Sequence, residues 1–477
     1  MGRLLTSHAA RQRRAEPGAS ATSCAHASRI RHHTLTILVL LGAMLCATGC
    51  APIASRYVGP WGRPLSRAER LHREGERLAA AGKVAEAILS YRQAHRLDPA
   101  YRPALRRLAA AYEAQGRRRL ARYFYQRLLE LDPRDAAAQE ALTALDRRLA
   151  QGPLPAAWQT FLEEQAISGL AVSDDAVYAT TQGGSLFALS RADGAVLWRF
   201  AAGRPIVSGP LYSAGPGRPL VLFGADDGVL YALSAEGGQE VWHFRTQAPI
   251  HGGPAAAGDA VYVGSTDGHL YAVGRADGAL RWHYTTGGAI HASPLVAGDT
   301  VYVGSLDQYV YAVNARTGAL RWRFAAVAGV ESTPVLQGER LFVGANDSRL
   351  YCLHPVSGRE LWRHSTGDAV YAPPVLDGTR LYLASASRSL FALDLATGQE
   401  LWRHDAATFL TVAPALHGGR LYLVAASDPQ LYALASDTGQ LLWAMDTGDW
   451  PSAPPLATAG HLYLGGKDGT VVAYRLP

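Results

Sequence analysis

Eight of the ten tryptophans in this 477-residue chain recur at a near-constant interval. Trp158, Trp198, Trp242, Trp282, Trp322, Trp362, Trp402 and Trp443 lie 40 to 44 residues apart. A fixed period of about 40 residues belongs to a stacked or circular array of one supersecondary unit. The phase of the ladder says more. Apolar strand pairs follow every Trp, and the last pair, around Leu462–Tyr474, has no Trp after it. Trp158 stands before the first pair without one of its own. An orphan strand at the start and an unfinished unit at the end together predict a closed ring of eight.

One repeat shows the unit. Pro294-Leu295-Val296 is a short apolar run, and Ala297-Gly298-Asp299 turns the chain. Val301–Gly304 and Val310–Val313 are β-branched and alternate, so they read as strands. Asn314–Gly318 turns the chain again before Leu320–Phe324, which carries Trp322. Four strands joined by tight turns make a β-meander, one propeller blade. Asp227-Gly228, Asp267-Gly268 and Asp468-Gly469 are hairpin signals in which Gly takes up the positive φ of a tight turn. The Trp is a large apolar plate in each outer strand, expected to pack against the neighbouring blade and to hold the ring together.

The turn before each Trp carries a family resemblance. Ala392 to Trp402, with Thr397-Gly398 ahead of the Trp, resembles the tryptophan-docking motif of PQQ-type propeller repeats, as do Ala312 to Trp322 and, less well, Ala232 to Trp242. The resemblance covers residues 157–477 and implies an all-β eight-bladed propeller. Quinoprotein dehydrogenases, kinase sensor domains and the BamB-like lipoproteins of outer-membrane β-barrel assembly share this repeat, so it is specific for fold and weak for function.

The front of the chain reads differently. Six arginines precede the apolar run Leu35–Leu45, which is too short to span a membrane and suits a signal peptide. Ala47-Thr48-Gly49-Cys50 resembles a bacterial lipobox, with Ala47 where Leu is usual. This implies a lipoprotein signal over 1–49 and lipidation at Cys50. Ala51 after the Cys implies sorting to the outer membrane. Residues 50–65, rich in Pro and Gly, read as a tether. Over 66–150 the patterning is helical. Gly82 and Gly116, and Pro99 and Pro133, are each 34 residues apart, which resembles two tetratricopeptide repeats with a capping helix over Ala136–Ala150. So short an array must lean on something, the propeller or a partner. Residues 151–156 form the linker.

The net charge of +6 conceals a bipolar chain. Residues 1–49 carry six basic and one acidic side chain, residues 50–150 carry 20 and 11, and residues 151–477 carry 20 and 28. Arg106, Arg107, Arg117, Arg118 and Arg119 form a candidate interaction patch for acidic headgroups, an acidic partner or the propeller itself. A secretion signal argues against nucleic acid. Behind Cys50 only Cys352 remains, in the strand Leu350–Leu353, so a disulfide framework is excluded and a buried thiol expected.

Candidate chemistry is sparse. Nine residues after each Trp the chain should enter the innermost strand, at the channel mouth. That ring reads Val207, His251, His291, Glu331, Tyr371, Thr411 and Ser452. His251, His291, Glu331 and Tyr371 are candidates for ligand binding. Two His and a carboxylate suit Zn²⁺, although neighbouring blades should stand too far apart for bonds of about 2 Å. The chain lacks the adjacent cysteines of quinoprotein enzymes, a C-x-x-C-H motif and the common nucleophile and phosphate motifs. No catalytic residue, metal or cofactor is expected. The reading is a non-enzymatic, lipid-anchored periplasmic scaffold, BamB-like, whose partners are envelope proteins such as the barrel-assembly machinery. The alternatives are a ligand- or metal-binding sensory propeller and a PQQ-dependent oxidoreductase. Oligomeric state stays open.

Overall fold

Five helices come first. In the computed structural model, which describes residues 64–215 and 217–477, they are α1 (Arg67–Ala80), α2 (Val84–Leu97), α3 (Arg102–Ala114), α4 (Arg118–Leu131) and α5 (Ala136–Leu149). The signal and Cys50 lie outside the described residues. Ser66 opens α1 with a capping box: its hydroxyl accepts from the Glu69 amide at 3.1 Å, and the Glu69 carboxylate accepts from the Ser66 amide at 2.7 Å. Gly82 and Gly116 sit at the α1–α2 and α3–α4 turns with φ of 76° and 73°, the left-handed conformation that glycine adopts freely. The helices enclose Tyr91, Leu105, Leu108, Tyr112, Phe124 and Leu145.

Eight four-stranded antiparallel sheets follow, each a meander in chain order except the last. Blade 1 spans Ile167–Ala201 and blade 7 spans Ala415–Asp446. Blade 8 takes its three inner strands, Leu456–Thr458, His461–Gly465 and Thr470–Arg475, from the C-terminal end. Its outer strand is Ala156–Phe161, which precedes blade 1. Trp158 pairs with Ala473 and Phe161 with Thr470. This is the expected ring closure: one blade is sewn from the first and the last strands of the propeller, so the ring has no open end.

Each outer strand bulges at the residue before its Trp. Ala272 faces Trp282 while Val273 faces Leu280, so Arg281 is left over, and the same shift recurs in all eight blades. The bulge increases local twist and aims the indole across the blade boundary. There it lies on the glycine of the next blade's outer turn. A Cβ on Gly278 would stand 2.6 Å from the Trp242 ring, and Gly194, Gly238, Gly318, Gly358, Gly398 and Gly439 face their own Trp in the same way. The Trp242 Nε1 donates to the Arg275 carbonyl at 2.8 Å, and Trp158, Trp198, Trp282, Trp322 and Trp402 make the same bond. Among the described residues Trp443 has no such glycine beneath it, because in blade 8 the two outermost strands come from opposite ends of the propeller and no tight turn joins them.

Candidate functional site

Two rings of residues build the mouth of the channel. At the turn between the second and third strand of every blade, one amide donates to the carbonyl ahead of that blade's inner strand. Asp226 bonds Pro205, Asn346 bonds Gly329 and Lys467 bonds Trp450, and all eight bonds fall between 2.8 and 3.0 Å. The inner loop then places one apolar side chain in the blade: Ile206, Ile250, Ile290, Val330, Val370 and Leu410 are all buried. The next residue stands half-buried or exposed at the mouth. This alternation positions Val207, His251, His291, Glu331, Tyr371 and Thr411.

His251, His291 and Glu331 are brought into contact across three blades. The His251 and His291 rings lie 4.9 Å apart, and His291 Nδ1 is 3.2 Å from Glu331 Oε2. Asn346 Nδ2 donates to Glu331 Oε1 at 2.7 Å, and His251 Nε2 lies 3.6 Å from Asp226 Oδ1. The bond from His291 holds the Glu331 carboxyl below its usual range, against the opposing cost of burial. Burial, with His291 nearby, pushes the His251 imidazole toward its neutral form. Tyr371 stands exposed on the next blade. The blades approach more closely than the sequence suggested. Even so, among the described residues no three His, Cys, Asp or Glu side chains are placed to hold a metal ion.

The arginine run occupies a second site, at the seam between α4 and the propeller. Arg118 pairs with Asp446, and Arg117 Nε is 3.5 Å from Asp449 Oδ1. Arg119 is almost fully buried. It donates to Gln159 Oε1 at 2.7 Å, to the Tyr474 hydroxyl at 2.6 Å and to the Thr447 carbonyl. Phe161 packs on Tyr123 and Phe124, and the Tyr123 hydroxyl donates to Glu163 at 2.8 Å. Of the three occupants considered for this basic run, the propeller holds Arg117–Arg119. Arg106 and Arg107 pair within the helical part, with Asp135 and Glu76.

The chain matches the family model described as outer membrane protein assembly factor BamB over residues 140–217, 226–369, 306–413 and 346–476. It belongs to the BamB family. Among solved structures, BamB from Moraxella catarrhalis superposes with a TM-score of 0.60 at 20% identity, over 68% of this chain and 98% of its own. A computationally designed protein superposes equally well, with a TM-score of 0.61 at 20% identity over 67% and 99%. A natural BamB and a designed protein thus match alike, so these superpositions speak for the fold alone. No curated protein matches the chain closely enough in sequence to count as a relative.

Sequence reasoning missed what surrounds these sites. Five blades carry an Asp that caps its own turn and accepts from the Tyr hydroxyl four residues on: Asp227–Tyr231, Asp267–Tyr271, Asp307–Tyr311, Asp347–Tyr351 and Asp428–Tyr432. The D-x-x-x-Y spacing was visible in the sequence. Blade 8 breaks the pattern, because Val472 stands where Tyr would. There Asp468 is buried beside Asp449, the carboxylate that Arg117 approaches, and its amide donates to Asp449 Oδ2 at 3.2 Å. Burial, and Asp468 next to it, drive the Asp449 carboxyl upward. Cys352 is a buried free thiol whose pKa burial pushes up to about 12, so it is inert.

Proposed function

We propose that this chain is a lipid-anchored scaffold on the periplasmic face of the outer membrane, holding envelope proteins together during outer-membrane protein assembly. Membership of the BamB family carries this reading. The build agrees with it. A rigid ring offers open outer-strand edges and two rims of loops, which suit recognition by strand addition or loop contact. The helical part, read as two tetratricopeptide-like repeats and a cap, is fixed to that ring by Arg119 and Phe161, so two binding modules are held as one. No described helix is long and apolar enough to cross a membrane, and the anchor assigned by sequence is the lipid on Cys50.

Mild-detergent capture of the full-length protein from its native membrane, followed by mass spectrometry, tests the role. Recovery of barrel-assembly proteins is the expected result. Recovery of other envelope machinery alone would replace the pathway. Cys50→Ser should release the protein from the membrane fraction, and continued membrane association would sink the anchor assignment. Dye-linked dehydrogenase activity on addition of PQQ and Ca²⁺ would contradict a purely non-catalytic role.

A further inference from the structure

The channel mouth is filled unevenly. At the position after the buried residue of each inner loop, blades 3 to 6 carry His251, His291, Glu331 and Tyr371, whereas blades 7, 8 and 1 carry Thr411, Ser452 and Ser168. The turn between the second and third strands of blade 7 is equally bare. Ala426 stands there at the position of Leu306 in blade 4 and Asn346 in blade 5, each with the same amide bond. Small side chains on three neighbouring blades leave room that large ones take up elsewhere. A cavity of about 390 Å³ opens there, lined by blades 7, 8 and 1. That volume falls in the range of small-molecule sites, roughly 300–1,000 Å³.

The lining sets what such a cavity takes. Val412, Val424 and Pro451 are among its apolar walls, and Gln165 and Gln182 bring amides to its edge. Lys467 is its one charged group, since none of the described lining residues is acidic. The Lys467 amide donates to the Trp450 carbonyl at 2.8 Å, and the ammonium lies over the Trp450 ring, 5.5 Å from its centroid. A cation over a ring face is held in place while its N–H donors stay unspent. A cationic ligand finds no counter-charge here. Phosphate asks for a guanidinium fork or several free backbone amides. The turn amides of Gln182, Ala426 and Lys467 are already spent on carbonyls, at 2.8 to 3.0 Å. One ammonium beside apolar walls matches one carboxylate on a small apolar body.

We propose that the cavity between blades 7, 8 and 1 binds a small organic monocarboxylate, its carboxylate on the Lys467 ammonium and its apolar body against Val412, Val424 and Pro451. This site goes beyond the scaffold role and does not depend on it.

The test is a ligand-observed NMR titration of the full-length protein in detergent, with detergent alone as blank. Acetate, butyrate and hexanoate are compared with butyramide, butylamine and inorganic phosphate. Saturable binding of the carboxylates is expected, tightening by up to about fourfold per methylene until the cavity is full. Butyramide, which lacks the charge, should bind at least about tenfold more weakly than butyrate. Lys467→Met should bring butyrate down to the level of butyramide, whereas Lys467→Arg, which keeps a cation, should retain the preference. Ala426→Leu installs the residue that blade 4 carries at this turn, so it should fill the cavity and abolish binding with the thermal midpoint unchanged. No saturable binding at tens of millimolar butyrate overturns the proposal. So does equal binding of butyrate and butyramide, tighter binding of phosphate or butylamine, a preference that Lys467→Met leaves intact, or binding that survives Ala426→Leu.

Discussion

At the residue scale the Trp–Gly contact is one tie between each blade and the next, and its geometry makes separable predictions. Gly278 has a φ of 68° and the Trp242 ring where a methyl would go, so Gly278→Ala meets both backbone strain and a clash with a rigid plate. It should cost about 1–3 kcal/mol, read as a fall in the thermal midpoint. A finer comparison isolates the indole hydrogen bond. Trp242 Nε1 donates at 2.8 Å, whereas Trp362 Nε1 is buried without a partner. Trp→Phe removes similar apolar surface at both positions but a hydrogen bond at only one. Trp242→Phe should therefore destabilise by about 1 kcal/mol more than Trp362→Phe in chemical denaturation. Equal losses would show that the bond contributes nothing beyond packing. The Trp ladder was legible in the sequence because the period is strict and the residue rare. The glycine beneath seven of the indoles was read in the turn and docking motif ahead of its own repeat's Trp, whereas the indole it faces belongs to the preceding repeat.

At the scale of elements the seam between α4 and the propeller depends on one buried guanidinium. Arg119 meets three acceptors, so Arg119→Ala should weaken docking by about 3 kcal/mol and expose the helical part to proteolysis while the propeller persists. Lysine cannot fork to all three, and Arg119→Lys should not rescue it. Unchanged protease resistance in both variants would remove Arg119 from this role. The neighbouring acid pair adds a pH dependence. Asp449 is pushed from an ordinary value of 3.8 up to about 8 by burial and by Asp468, against the opposing pull of Arg117, in a pocket it shares with Arg119 and Tyr474. Between those values the folded protein holds a proton that the unfolded chain has released. This group's contribution to stability therefore falls as pH rises through that window and levels off above about pH 8. Asp449→Asn carries no such proton. Wild-type stability minus that of the variant, from urea unfolding at each pH, should decline across the window, and parallel profiles would contradict the linkage. Glu331 and other carboxyls with depressed values slope the opposite way but cancel in the difference. In the sequence Arg117–Arg119 was visible as charge, not as direction. An arginine run looks the same whether it faces solvent or a partner, and what decides here is Gly448, where a Cβ would stand 2.9 Å from Arg119 Cγ and from Leu149.

At the scale of the whole molecule, closure of the ring and attachment of the helices share one strand. Ala156–Phe161 completes blade 8 through its pairing with Thr470–Tyr474, and the same strand presents Gln159 to Arg119 and Phe161 to Tyr123 and Phe124. The order of the repeats in the sequence implied the first function. The second depends on side chains that alternate across the strand, and no repeat period reports which neighbour covers the outer face. Removing residues 153–162 should consequently do two things at once. Blade 8 loses its outer strand, and Tyr474, Ala473 and Val472 lose the backbone partners that shield the edge. The helical part loses its apolar anchor and one of Arg119's acceptors. A ring opened in this way exposes an unpaired strand edge, the template on which chains associate. The expected result is a lower thermal midpoint, concentration-dependent association by light scattering, and early proteolytic release of α1–α5. An added peptide spanning Ala156–Phe161 should restore the midpoint by pairing with the vacant edge, in proportion to its concentration. Thermal stability unchanged by the deletion would mean that seven blades hold the disc without a shared closing strand. Loss of stability without release of the helices would separate the two functions that this strand combines.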